Sequence, residues 1–266
     1  MAMPAPRFFC PVHPTVGTTF ELPTALAHHA TRVLRLKHNT PIVLFNGQQG
    51  QYNATLLLEG KKAIAHVHEF DPRNLELPGQ LTLAQALVSA EKMDWIIEKA
   101  VESGVHTLVP IMAQRSVANF SAERLAKKMQ HWERVIESAS AQCGRNQLMQ
   151  LTKPQTLANL LENSIAPAKE EPAITSTSPE TNAKEAGAEL TLVCHPTAQH
   201  TLRDVLGPSR SRITLLIGPE GGWSTEELAQ AEKAGAEFVR FGKRVLRTET
   251  AGLAMVSAIS ALQNWE

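Results

Sequence analysis

The chain has 266 residues, 43% of them hydrophobic and 20% charged, and its 26 basic and 26 acidic side chains cancel to a net charge of +0. That balance fits a globular chain with a real core, large enough for one big or two modest domains. It excludes a low-hydrophobicity disordered chain and a strongly basic nucleic-acid binder, and no apolar run is long enough to cross a bilayer. The three cysteines, Cys10, Cys143 and Cys194, stand far apart with no CxxC pair, which argues against a disulfide framework or structural zinc and for a reducing compartment.

Met1 to Arg7 has no apolar stretch of the kind a secretory signal needs, so a cytoplasmic location is expected. The first seventy or so residues then read as a small β-rich unit. A helical stretch, Ala25 to Leu36, comes first. Strands are expected at Pro41–Phe45, Tyr52–Leu58 and Ala63–Phe70, with turns at Asn46-Gly47 and Glu59-Gly60. Asp71 to Gly79, with two prolines and a glycine, reads as a linker.

From Leu81 the pattern changes to strands alternating with helices. Strands are expected at Leu81–Val88, Thr107–Ile111, Leu190–Cys194, Ile213–Ile217 and Phe238–Phe241. Helices are expected at Lys92–Gly104, Ser121–Gln142, Ser224–Ala234 and Thr248–Leu262. In the first of these, Met93, Ile96, Ile97, Ala100 and Val101 share one face. The alternation predicts an α/β domain with a mostly parallel sheet covered on both faces. Ser164 to Ala188 is rich in Ala, Pro, Glu, Ser and Thr and reads as a flexible insertion, because it lacks the apolar surface that ordering requires.

Chemistry concentrates in two stretches. In Ile217-Gly218-Pro219-Glu220-Gly221-Gly222-Trp223-Ser224 a buried strand enters a loop with three glycines, and a helix follows with Glu227 placed for a capping box. Loops at the carboxyl ends of parallel strands bind ligands in open α/β sheets, and glycine lets the backbone come close. Alone, the loop reads rather as a tight structural turn; it is neither a Walker loop nor a GxGxxG fingerprint. The second stretch, Gly242-Lys243-Arg244-Val245-Leu246-Arg247-Thr248-Glu249-Thr250-Ala251, crowds polar and charged residues into a strand-to-helix junction. A helix of small residues follows, with Ala254, Met255, Ala258, Ile259 and Leu262 on one face.

The pairing of these stretches resembles the C-terminal signature of the RsmE family of SPOUT methyltransferases. The likeness extends along the chain. It includes Arg7-Phe8-Phe9, Arg32-Val33-Leu34-Arg35, Glu91-Lys92-Met93-Asp94, Glu98-Lys99, Glu102-Ser103-Gly104-Val105, Arg115-Ser116, Gln142-Cys143-Gly144-Arg145-Asn146 and His195-Pro196. The resemblance implies a PUA-like RNA-binding domain over 1–72 and a SPOUT domain over 78–266 with a trefoil knot at its C-terminal end and 164–188 as an insertion. It also implies a homodimer that methylates N3 of a specific uridine in 16S ribosomal RNA of the small subunit.

The cofactor implied is S-adenosylmethionine, held largely by backbone groups where three loops meet, around Cys194–Thr197, Gly218–Gly222 and Gly242–Leu246. Its expected contacts are Cys194, His195, Ile217, Gly218, Pro219, Glu220, Gly221, Gly222, Phe241, Gly242, Val245 and Leu246, with an apolar adenine slot near Ile217 and Leu246. Uracil N3 carries a proton and must lose it to become a nucleophile, so a carboxylate base or a cation facing the developing anion is needed. Glu249 and Arg247 are expected in those roles, with Glu220 a second base. Glu249 is equally read as an acid favouring the first turn of a helix, whereas Glu220 reads first as half of a loop salt bridge or a hydrogen-bond partner of backbone. RNA contacts are expected from Arg7, Arg32, Arg35, Lys37, Arg115 and Arg145, while Lys127 and Lys128 read as a solvated helix face.

No metal site is expected. His66 and His68 alternate on a strand without a third ligand, and Cys143 and Cys194 lack the basic partners of a nucleophile. Trp95 and Trp132 read as packing or interface residues. Two other functions fit the same residues: a SPOUT enzyme acting on another RNA, and a non-catalytic RNA-binding assembly factor.

Overall fold

The computed structural model describes residues 5–48, 50–60, 62–116, 121–165, 189–207 and 210–265. They form two compact units, one of Met1–Glu76 with Arg134–Leu148, the other of Leu77–Glu133 with Met149–Glu266. No helix among the described residues is long and apolar enough to cross a membrane.

The smaller unit is built on a five-stranded sheet. Its strands are β1 (Arg7–Phe9), β2 (Thr19–Glu21), β3 (Thr40–Phe45), β4 (Gln51–Glu59) and β5 (Lys62–Asp71), in the order β1-β3-β4-β5-β2. β1 runs parallel to β3 and the remaining pairs are antiparallel. Alternation along β4 and β5 sends Ala54, Leu56, Ala63, Ala65 and Val67 inward, where they meet Phe8, Cys10, Leu22, Ala30, Ile42 and Leu44. The expected single helix over Ala25–Leu36 is instead a short α1 (Thr24–His28) that widens into a π-turn, His29–Val33. Leu34 N donates to His29 O and Leu36 N to Ala30 O, and Arg35 then takes a φ of 53°.

The last turns of α3 (Ala122–Cys143) and the loop after it belong to this smaller unit, a division no composition change marks. Arg7 explains it. Its guanidinium donates to the carbonyls of Ala141, Gly144 and Arg145, to Asn146 Oδ1 and to Gln51. Gln51 in turn donates to Asp71 at 3.1 Å. Arg145, 4% exposed, pairs with Glu76 through Nε and Nη2. The expectation that Arg7 and Arg145 bind RNA therefore meets two guanidiniums already committed inside the unit, one of them buried.

The larger unit carries a seven-stranded sheet whose described pairings are all parallel. Its strands are β6 (Gln80–Ala86), β7 (Thr107–Ile111), β8 (Gln150–Leu151), β9 (Leu190–Cys194), β10 (His200–Thr201), β11 (Arg212–Ile217) and β12 (Glu237–Arg240), in the order β10-β12-β9-β11-β6-β7-β8. Its helices are α2 (Ala90–Glu102), the first part of α3, α4 (Leu157–Ile165), α5 (Leu202–Val205), α6 (Thr225–Lys233) and α7 (Thr248–Leu262). All five apolar residues expected on one face of α2 are buried. The short elements β8, β10, α4 and α5 carry no sequence signal strong enough to have been expected. The insertion foreseen at Ser164–Ala188 lies outside the described residues except for its first two positions, which end α4.

Register fixes what matters for function. Ile217 pairs with Cys194, and Cys194 with Val239, so β11, β9 and β12 lie side by side and end at nearly one level. The three loops that follow them, far apart in sequence, therefore open at the same edge.

Candidate active site

Those loops enclose a cavity of about 470 Å³, lined by residues that include Cys194, His195, Ile217, Glu220, Leu246 and Arg247. This is within the size range of small-molecule sites, roughly 300–1,000 Å³. Its wall mixes backbone of the loop Gly218–Gly222 with apolar side chains of Ile217, Phe241, Val245 and Leu246. Of the twelve cofactor contacts expected, Gly221 and Gly242 are the two that do not line it.

Glycine is required where the walls come closest. A Cβ on Gly218 would lie 3.0 Å from Trp223 Nε1, and one on Gly221 would lie 3.2 Å from the Arg115 carbonyl. Gly222 turns the loop with a φ of 69°. The capping box then forms as expected: Ser224 N donates to Glu227 Oε2, and Glu227 N to Ser224 Oγ. The other oxygen of Glu227 accepts from Gln114 N, joining the segment after β7 to the start of α6.

A buried hydroxyl joins the loop to the second motif. Thr248, 7% exposed, donates from Oγ1 to Gly218 O at 2.6 Å and accepts from Gln85 Nε2 at 3.0 Å. Gln85 is fully buried in β6, a polar residue interrupting the apolar run of Leu83, Ala84, Ala86, Leu87 and Val88, and its Oε1 has no hydrogen-bond partner. That interruption of the strand was the available clue to this contact.

Charge enters through Lys92 on α2. Its Nζ lies 2.8 Å from Glu220 Oε1 and 3.4 Å from Glu249 Oε2. Burial works against ionising Glu220, but the hydrogen bond from Lys92 and the loop's own backbone outweigh it and hold the carboxyl below its usual range. The same contact with Glu220, helped by Glu249, raises the Lys92 ammonium. Lys92 and Glu220 line the cavity; Glu249 does not. Glu249 faces a small crevice between α2 and α7, beside Trp95, Ile96, Lys99 and Leu253. Glu249, expected as the base, thus reaches the cavity only through Lys92, which in the sequence is one member of the Glu91-Lys92-Met93-Asp94 motif. Arg247 precedes α7, exposed, and lines the cavity mouth.

Burial pushes the Cys194 thiol up to about 11, which keeps it protonated and unreactive at neutral pH. His195 lies beside it, its Nδ1 3.0 Å from Thr197 Oγ1. Arg115 is exposed, with Nη1 3.4 Å from Gly221 O. Arg32, Arg35 and Lys37 are exposed on the smaller unit. Lys127 pairs with Glu123 one turn away on an exposed face, and Trp132 is fully buried in packing. His66 and His68 lie with tilted rings whose centroids are 4.5 Å apart, and no cluster of metal-ligating residues occurs among the described residues.

Known proteins share this arrangement. A family described as an RNA methyltransferase domain matches residues 75–260, and an RNA methyltransferase PUA domain matches 22–65. Ribosomal RNA small subunit methyltransferase E from Buchnera aphidicola is 28% identical over 239 residues, 88% of this chain and 85% of that one. Its Bacillus subtilis counterpart is 27% identical over 243 residues, 91% and 90% of the two chains. Among solved structures, a Legionella pneumophila protein described as a methyltransferase in complex with SAM superposes with a TM-score of 0.85 at 30% identity, covering 98% of this chain and 99% of that one. Ribosomal RNA small subunit methyltransferase E from Neisseria gonorrhoeae, bound to S-adenosyl methionine, gives 0.83 at 32%, covering 97% and 98%. The match to the catalytic domain spans well over half the chain and includes every residue that lines the cavity, so this chain belongs to the RNA methyltransferase family.

Proposed function

We propose that the chain transfers a methyl group from S-adenosylmethionine to N3 of a specific uridine in 16S ribosomal RNA of the small subunit. One observation carries this: the three strand-end loops, including both signature motifs, converge on a single cavity of about 470 Å³. Relatives named as small-subunit ribosomal RNA methyltransferases align over nearly the whole chain, and two similar structures hold the cofactor.

The site suits that cofactor. The apolar side chains of Ile217, Phe241, Val245 and Leu246 fit an adenine, and the close backbone of Gly218–Gly222 offers polar groups for the rest. The cofactor would supply an electrophilic methyl on sulfur. The chain supplies position and charge. Arg247, at the mouth, faces the uracil anion that forms when N3 loses its proton. Glu220, the carboxylate in the cavity wall, is held ionised by Lys92 and receives that proton directly or through water; Glu249 lies behind it on the same ammonium. Arg32, Arg35, Lys37 and Arg115 hold the RNA.

Three further features belong to this reading: a trefoil knot in the larger unit, a homodimer, and a cytoplasmic location where ribosomes are assembled. The strand order, in which β12 lies beside β9 and β9 beside β11, supports the first.

The test is a calorimetric titration with S-adenosylmethionine, followed by incubation with small subunits from a strain lacking the modification. Mass spectrometry of nuclease digests should find 3-methyluridine at one site. Heat without product would move the substrate to another RNA, and no heat would sink the enzymatic reading.

A further inference from the structure

The smaller unit displays a feature that methyl transfer leaves unused. Val33 is 57% exposed and Leu34 44%, both among the most exposed large apolar residues described. They stand between Arg32 and Arg35, which are also exposed. The backbone holds them out. Ala30, fully buried, and Leu36, partly buried, anchor the two ends. The wide π-turn and the positive φ of Arg35, 53°, a region non-glycine residues rarely occupy, buckle the chain between those anchors.

The surroundings define what fits there. From Leu22 to Leu58 the sequence contains no aspartate or glutamate, while Arg32, Arg35 and Lys37 all fall within four positions of Val33. Glu21, at the edge of that stretch, is already paired with Lys62. An apolar tip flanked along the chain by cations alone suits a polyanion that also exposes apolar faces. Unpaired RNA does so, its bases having flat π-faces available when they are not stacked in a helix. An anionic bilayer would also use both halves, but the tip falls within residues 22–65, the segment that matches an RNA methyltransferase PUA domain.

We propose that Val33 and Leu34 form an apolar wedge that packs against an unpaired base of the RNA, with Arg32 and Arg35 gripping the phosphates on either side. The wedge rests on the RNA reading above and adds to it a preference for single-stranded or looped RNA. Aliphatic side chains inserted between bases are an established way of using apolar surface against nucleic acid.

Salt separates the two halves. Removing one cation that neutralises a phosphate lowers the slope of log affinity against log salt by about 0.7 for single strands, whereas removing an apolar side chain leaves the slope alone. The probes are a fluorescein-labelled single-stranded RNA of about 20 nucleotides containing uridines and the blunt duplex formed with its complement, a length that covers several backbone contacts. V33S/L34S should bind the single strand about tenfold more weakly with an unchanged salt slope and lose the preference for single strand over duplex. R32Q/R35Q should weaken both probes and reduce the slope by about 1.4. The melting temperature and S-adenosylmethionine affinity of both variants should match the wild type, showing that the fold and the cofactor site are intact. Unchanged affinity of V33S/L34S for the single strand overturns the wedge. So does an affinity that falls equally for strand and duplex, or falls only for intact subunits, which would make the tip a protein contact. Wild-type protein that binds neither probe also overturns the wedge, while the RNA reading beneath it stands or falls on methylation of small subunits.

Discussion

Replacing Thr248 by valine tests how the two motifs are held together. The change keeps the shape and removes the hydroxyl, so both hydrogen bonds vanish: the one to Gly218 O at 2.6 Å and the one from Gln85 Nε2 at 3.0 Å. A buried polar group left without its partner costs roughly 1–3 kcal/mol. Gln85 keeps its bond to the Ala86 carbonyl, and Gly218 is partly exposed and can turn to water. The sum is therefore nearer one full penalty than two, about 2 kcal/mol. At roughly 2–4 °C per kcal/mol for a domain of this size, the melting temperature should fall by about 4–8 °C. Because Gly218 opens the cavity loop, S-adenosylmethionine affinity measured by calorimetry should drop about tenfold, equivalent to about 1.4 kcal/mol. Thr248→Ser keeps the hydroxyl and should stay within about 1 kcal/mol of wild type. A valine variant that melts within about 1 °C of wild type and binds the cofactor normally would refute the argument, since that shift is below the cost of one hydrogen bond.

Lys92→Met should change the pH dependence of stability. Glu220 is held below 4.5 in the folded chain and Lys92 above 10.5, so their pairing stabilises fully between those values. Its contribution fades as pH falls through the lowered carboxyl value or rises through the raised ammonium value. The difference in melting temperature between wild type and variant should be flat from pH 5 to 9 and shrink below pH 4; a difference that grows in acid would contradict the pairing. Cys194, held at about 11, should resist iodoacetamide at pH 8 and react faster as pH is raised toward that value, with mass spectrometry locating the label. Rapid labelling at pH 8 would show that the thiol is not desolvated. Arg145→Met leaves the partly buried Glu76 without its partner and should cost about 3 kcal/mol in urea unfolding without changing the salt dependence of RNA binding. A stable variant with a reduced salt slope would return Arg145 to the RNA contacts.

Strands and helices with strong periodicity were legible in the sequence. Leu81–Val88, Thr107–Ile111 and Leu190–Cys194 are apolar enough to be recognised as buried strands, and the face of α2 follows from its spacing. The loops of the cavity were legible as motifs, because GPEGG and RVLRTET put glycine and charge where a plain turn needs neither. What the sequence concealed are relations between distant residues. Glu249 sits two positions after Arg247, yet the helix turns its carboxylate toward α2 while Arg247 stays at the mouth. Lys92 approaches both acids only because α2 packs against α7. Arg7 and Arg145 looked like RNA contacts because an arginine in a motif reads as a cation on the surface. In the fold Arg7 donates to residues 141–146 and the buried Arg145 pairs with Glu76, relations that are not encoded locally.

The use Arg7 makes of residues 141–146 also bears on how the chain is made. A nascent chain that has emerged only to Glu76 already holds every strand of the first sheet. It still lacks the carbonyls that Arg7 needs and the guanidinium that neutralises Glu76. At about 5–20 residues per second, the missing segment arrives roughly 4–14 seconds later. The amino-terminal unit must therefore wait, half-finished, for the middle of its own chain. A gene fragment cut at residue 76 should yield a protein that never closes.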